Sequence, residues 1–200
     1  MLAATLALLL QGDAESALRK LEERARPVRT VSADFVQHRR TPLMKEPLKS
    51  SGTLHYRRDP ERLVFLFTSP RASVVHLDRS WYRVYRPEAR QLEEFELGDS
   101  ESARWLFMAF HPRVDDVAKA FRLKTDGADI AFEPRGGAVI KRLSMRVEGD
   151  VVRRIEYVDA DDEEVTFELS SLAIDPKVAP ETFDLKVPDG VRVLRHRKKE

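Results

Sequence analysis

The five histidines, His38, His55, His76, His111 and His196, are the first residues to test for chemistry. No two stand at the spacing that puts two imidazoles on one helical face for a metal ion. The chain has no cysteine, which excludes disulfides, thiol nucleophiles, cysteine-bound metal and anchoring through a lipidated N-terminal cysteine. A nucleophile elbow, a phosphate-binding loop and a dinucleotide fingerprint are all missing from the sequence. The acidic run Asp159, Asp161, Asp162, Glu163 and Glu164 lacks the glycine and distal glutamate of a calcium loop, and reads as a solvated hairpin turn. Other carboxylates are scattered, with no pair that spacing singles out. These residues imply no catalytic group, no metal ligand and no cofactor.

One cation stands out. Leu54 and Tyr56 are expected on an apolar sheet face, and period two then puts Arg58 on that face and Arg57 toward water. An arginine so placed is either a rim residue whose head reaches out to solvent or a functional group. Both readings are open at this point.

The second unusual feature is the run "WLFMAF", Trp105 to Phe110, in a chain rich in charge. Asp99 or Ser100 can cap a helix start and Pro112 cannot continue one, so a helix is expected over Ser100 to His111. Ala103, Leu106, Phe107 and Phe110 then share one side, and Trp105, Met108 and Ala109 another. A surface helix needs only one apolar stripe; the second face invites a partner.

The elements that must position these residues are mostly strands. Ala14, Ala17, Leu18, Leu21, Ala25 and Val28 recur at helical spacing, giving a helix from about Ala14 to Arg26 that stops near Pro27. A short helix follows around Val114 to Ala120. Elsewhere the period is two: Val31, Ala33, Phe35; Leu54, Tyr56; Val75, Leu77; Trp81, Arg83, Tyr85; Phe121, Leu123; Ile130, Phe132; Leu143, Met145, Val147; Ile155, Tyr157; Val165, Phe167, Leu169. Turn signals such as Asp59-Pro60, Asp126-Gly127 and Gly149-Asp150 separate the runs. Ten or so short strands at hairpin spacing make an antiparallel meander with one apolar face, and a sheet that wide curls. Three short helices cannot fill its hollow side as a solid core would, so a lipid-sized cavity under a helical cover is expected.

The chain's 35 Lys and Arg nearly cancel its 34 Asp and Glu, so no global field marks a nucleic-acid binder. The terminal "RHRKKE" reads as a solvated tail. At the other end, Leu2 to Leu10 is apolar but too short to span a bilayer, and Gly12-Asp13-Ala14 offers small residues for a signal peptidase. Residues 1–14 are therefore expected to be an export signal or its remnant, although the positive flank is missing. Residues 15–200 are expected to form one domain.

Taken together, these stretches resemble the periplasmic lipoprotein carrier family, LolA, of Gram-negative bacteria. "ADFVQ" (Ala33 to Gln37) is similar to its early F-x-Q strand. "SGTLHYRRDPERLVFLF" resembles its small-Gly-x-Leu strand, Arg-Pro turn and aromatic strand, and "HLDRSWYRVYRPEARQLEEF" its tryptophan hairpin. "VTFELSSLAIDPKVAPETFDLKVPDGVRVL" resembles its closing segment. Two departures are Asp78-Arg79 where the family has Asp-Gly, and no tryptophan within Leu63 to Phe67.

The resemblance implies an incomplete antiparallel β-barrel, a half-barrel of 10 to 11 strands closed by a helical lid, as in LolA and LolB. It implies a soluble, monomeric, non-enzymatic periplasmic carrier without cofactor. Such a carrier takes an acylated lipoprotein from an inner-membrane ABC transporter, shields its acyl chains and passes it to an outer-membrane receptor. Arg58, or else Arg57, corresponds to the family's functional arginine, and the lid to Ser100–His111. The expected cargo-binding set is Arg58, Leu54, Tyr56, Phe65, Trp81, Tyr85, Trp105, Leu106, Phe107, Met108 and Phe110. Another lipid as cargo, of glycolipid or aryl-polyene type, and a lipoprotein-sensing regulator built on the same half-barrel are the alternatives.

Overall fold

The computed structural model describes residues 2–97, 105–136, 140–149 and 151–196, with backbone alone for residues 2–12. The protein is mainly β, as expected. Its strands are β1 (Thr30–Arg40), β2 (Leu48–Arg57), β3 (Arg62–Ser69), β4 (Ser73–Leu77), β5 (Trp81–Arg86), β6 (Gln91–Glu96), β7 (Phe121–Asp126), β8 (Asp129–Pro134), β9 (Ile140–Glu148), β10 (Val151–Asp159), β11 (Glu164–Ile174) and β12 (Arg192–His196). They form one open sheet in the order β12-β6-β5-β4-β3-β2-β1-β11-β10-β9-β8-β7. Among the described residues the count is twelve, where ten or eleven were expected. β12 departs from the meander by running parallel to β6, with Arg195 opposite Glu94.

Packing divides the chain into two compact units. The first holds Met1–Pro27, Gln37–Leu48 and Trp105–Glu168; the second holds Val28–Val36, Lys49–Arg104 and Leu169–Glu200.

In the first unit, tight turns at Gly127 (φ 60°) and Gly149 (φ 55°) close the β7–β8 and β9–β10 hairpins. Glycine suits these left-handed positions because it has no Cβ to clash. Directly opposed residues of antiparallel strands project to the same face. The row Leu123, Phe132, Leu143, Tyr157, Val165 therefore crosses five strands on one face, and Ile130, Met145, Ile155, Phe167 follows beside it.

Helix α1 (Leu2–Ala25) covers β7 and β8. Ala14, Leu18, Leu21 and Ala25 are its buried stripe, and the Arg19–Glu15 pair at 2.8 Å lies on its wet side. The helix begins at Leu2, well before the expected Ala14, so the stretch read as an export signal is helical here. The short α3 (Val114–Ala120) buries Val114 and Val117 and also packs near β7. The acidic run is a turn, as expected: an Asp159 carboxylate oxygen accepts the N–H groups of Asp161 and Glu163 at 2.9 and 3.0 Å.

In the second unit, β2 to β6 carry two faces of different character. On one, Leu54, Phe65, Val75 and Val84 are opposed in register, followed by Tyr56, Leu63, Leu77, Tyr82 and Phe95. On the other, His55, Val64, His76, Arg83 and Glu94 form the equivalent row, and β12 adds Arg195 to it. A 3-10 turn, Pro180–Phe183, packs on β3 and buries Phe183.

Candidate functional site

The apolar face of the second unit is dense in aromatics. Leu54, Tyr56 and Phe65 are all buried on it. Phe35, from the second unit's part of β1, meets Phe65 edge-on at 5.5 Å and Phe67 at 4.9 Å between ring centroids. Neither Phe35 nor Phe67 is among the residues expected to bind cargo. The signal that finds Phe35 is the F-x-Q strand itself, where it alternates in step with Val31 and Ala33; Phe67 follows Phe65 at period two on β3.

At the end of β2 this face acquires charge. The Tyr56 hydroxyl donates a long hydrogen bond of 3.5 Å to Glu61 Oε1, and the Arg58 side chain hydrogen-bonds the same hydroxyl. Burial pushes the Tyr56 phenol well above its ordinary value, and the Glu61 carboxylate adds to the effect, so it stays a neutral donor. Arg58 is half-buried, and its backbone N–H donates to the Arg29 carbonyl at 2.9 Å. Arg57 is half-buried on the opposite face, as its place in the strand period implies. Its guanidinium lies 4.6 Å over the Phe183 ring, because Phe183 offers that face an aromatic surface for the cation.

Register separates Trp81 and Tyr85 from the other expected residues. Tyr82 is opposed to Leu77 and Val84 to Val75, so Trp81, Arg83 and Tyr85 project to the other side of the sheet. Tyr85 is buried there beside Leu92. Trp81 stacks 5.5 Å from the Arg83 guanidinium. It meets Arg58 only at the sheet's end, where both border an open cleft of about 460 Å³ with Glu61 and Asp78.

That second face holds an ion-pair network. Arg62 and Arg83 both donate to Asp78 Oδ2, at 3.2 and 2.9 Å, and Arg83 and Arg195 both donate to Glu94, at 3.2 and 2.5 Å. Burial pushes the Asp78 carboxyl up. The N–H groups of Ser80 and Trp81 and the Arg83 guanidinium outweigh it and hold the group below its ordinary value. Asp78 thus makes the β4–β5 turn by its side chain, with Arg79 standing where the family has glycine.

The "WLFMAF" run belongs to the first unit. Of the helix expected over Ser100–His111, the described part is helical over Trp105–Met108 (α2) and stops short of His111; Ser100 to Arg104 lie outside the described residues. The N–H groups of Phe110 and His111 both return to the Phe107 carbonyl, at 3.0 and 2.9 Å, ending the turn. Trp105, Phe107, Ala109 and Phe110 are buried, while Leu106 and Met108 are half-buried. Side chains of both expected faces are thus buried, Phe107 and Phe110 from one and Trp105 and Ala109 from the other. Trp105 packs on Tyr157 of β10 with centroids 4.5 Å apart. No cluster of metal-ligating side chains occurs among the described residues.

The arrangement is thus a wide aromatic sheet face ending at a half-buried arginine, with acids engaged in turns and ion pairs. Residues 26–186 match the family model described as outer membrane lipoprotein carrier protein LolA. The chain belongs to the LolA family. An outer-membrane lipoprotein carrier protein of Bordetella avium is 24% identical over 188 residues, covering 91% of this chain and 88% of that one. Among solved structures, a conserved protein from Thermus thermophilus is similar with a TM-score of 0.54 at 10% identity, covering 92% of this chain and 99% of the other. A DUF1329 family protein from Desulfovibrio piger gives 0.50 at 13% identity, over 88% and 97%. These structural likenesses bear on the fold alone.

Proposed function

We propose that this LolA-family chain is a non-enzymatic carrier of lipoproteins. It shields their acyl chains and moves them through the periplasm from an inner-membrane ABC transporter to an outer-membrane receptor. The observation that carries this reading is the unbroken row Leu54, Phe65, Val75, Val84 with Tyr56, Leu63 and Leu77 beside it, an apolar surface across four strands. Family membership supports it, as does the name of the Bordetella relative. Leu54, Tyr56 and Phe65 hold the acyl chain, with Arg58 at the polar end of the face. Because these three side chains are buried, cargo reaches them only after whatever covers them moves, so loading couples to a change between closed and open states. The first unit carries an apolar segment of its own, Trp105, Leu106, Phe107, Met108 and Phe110, with Leu106 and Met108 half-buried. The unbranched Met108 suits a surface that must repack.

The test is displacement. A fluorescent fatty acid should bind the delipidated protein, and a triacylated lipopeptide should expel it. The same peptide without acyl chains should not compete. Each buried CH₂ contributes about 0.8 kcal/mol, less the cost of opening the site. Absence of probe binding would overturn the carrier reading. Displacement by a glycolipid but not by the lipopeptide would reassign the cargo.

A further inference from the structure

Three of the five large apolar side chains that stand exposed among the described residues crowd one hairpin tip. Leu43 is 96% exposed, Met44 39% and Leu48 40%; the other two, Ile174 and Val193, are on β11 and β12. A single exposed leucine is ordinary. Three within six residues at the tip of one β-hairpin are not, because turns are normally polar. The tip joins β1 to β2, and every residue from Pro42 to Leu48 is exposed. Pro42 and Pro47 fix the backbone on either side of the apolar pair. The N–H of Met44 returns to the Thr41 carbonyl at 3.0 Å, turning the chain so that Leu43 stands at the apex.

The charge around the tip is net positive. Within the first unit's segment Gln37–Leu48, Arg39, Arg40 and Lys45 face a single acid, Glu46, and Lys49 follows in sequence. Arg39 is held by Glu163 at 2.6 Å, which steadies the base of the hairpin. Exposed leucine and methionine at an apex, with basic groups set behind them, match the layering of an anionic bilayer. There the acyl region lies behind a plane of phosphates.

We propose that the β1–β2 tip is a membrane-contact element that inserts Leu43 and Met44 into the surface of an anionic lipid bilayer, while Arg40 and Lys45 pair with lipid phosphates. The contact is shallow and reversible. One leucine and one methionine anchor far less than an acyl chain, so the protein visits the surface and leaves.

The test is flotation of the full chain with vesicles of one-third phosphatidylglycerol in phosphatidylcholine, against vesicles of phosphatidylcholine alone. The protein should float with the anionic vesicles and not with the neutral ones. Leu43→Ser should weaken flotation about tenfold, in line with the value of one buried leucine. Lys45→Glu should weaken it about fivefold or more, and raised salt should do likewise. Because the tip is exposed, both variants should keep the wild-type circular dichroism and fatty-acid binding. Equal flotation with both vesicle types, none with either, or no loss in Leu43→Ser would overturn the proposal, and the tip would then be left to a protein partner. The fatty-acid assay separates the two ideas: a chain that binds the probe but no vesicle is a carrier without a membrane contact.

Discussion

His76 Nε2 lies 2.8 Å from the backbone carbonyl oxygen of Phe183, tying β4 to the 3-10 turn. A carbonyl only accepts, so Nε2 carries the proton and the buried Nδ1, which has no hydrogen-bond partner, is the bare nitrogen. Burial pushes this imidazole below its ordinary value. Arg62 and Arg83 act in the same direction, while the Phe183 carbonyl and Asp78 oppose them.

A pH dependence follows from that depression. The unfolded chain takes a proton on His76 near the ordinary histidine value, before the folded chain does. The stabilisation is therefore complete above about pH 6.5 and is lost as pH falls from there through the lowered folded value. His55, also lowered by burial, acts with the same sign. In His76→Gln the side-chain amide keeps a donor toward Phe183 but cannot titrate. Thermal melts from about pH 7.5 to 5 should show a smaller fall in Tm for this variant than for the wild type. Parallel slopes would clear His76 of the effect.

Gly52→Ala should damage the β2–β3 pairing. A Cβ at that position would lie 2.0 Å from the Leu66 carbonyl oxygen, 2.8 Å from its carbon and 2.9 Å from Phe67 Cα. All three are backbone atoms, so no rotamer change relieves the clash. A loss of about 2–4 kcal/mol is expected, read as a lower urea midpoint at unchanged m. The glycine of the family's small-Gly-x-Leu strand thus has a steric reason in this chain.

Arg58→Leu removes the group that hydrogen-bonds the Tyr56 hydroxyl and adds apolar surface at the end of the aromatic face. On the proposed function, fatty acid should still enter, and release to acceptor vesicles should slow severalfold, since closed and open states no longer exchange as before. Uptake and release must be followed separately. Unaltered release would remove Arg58 from the handover.

Period two made the interior of each strand legible, because it states which residues share a side. It correctly grouped Leu54 with Tyr56, and Trp81 with Tyr85. It could not say that the two groups face opposite ways. That is set by register, Tyr82 against Leu77, and so by the geometry of the turn at Asp78. The parallel strand β12 was hard to see for a different reason: Arg192 to His196 show little apolar alternation, and their partner strand is about a hundred residues away with no turn between to announce it. The "WLFMAF" reading erred at the C-terminal end, where the helix stops at Met108 and not at His111. Counting 100° per residue presumes a helix that persists, whereas here the backbone closes one turn on Phe107 and stops. Contacts such as that between Trp105 and Tyr157 then decide which of these side chains are buried. The family was legible because its motifs occur in order along most of the chain.

The parallel strand β12 has one more consequence. An outermost strand offers its free N–H and C=O groups to any other strand that drifts past, which is how soluble β proteins come to stack into aggregates. Here that rim carries Arg192, Arg195 and His196 within five exposed or half-exposed residues, and Arg195 is braced on Glu94. Two copies approaching rim to rim would set guanidinium against guanidinium. The sheet thus keeps an open border while repelling its own kind, and crowding alone need not turn a store of these molecules into fibres.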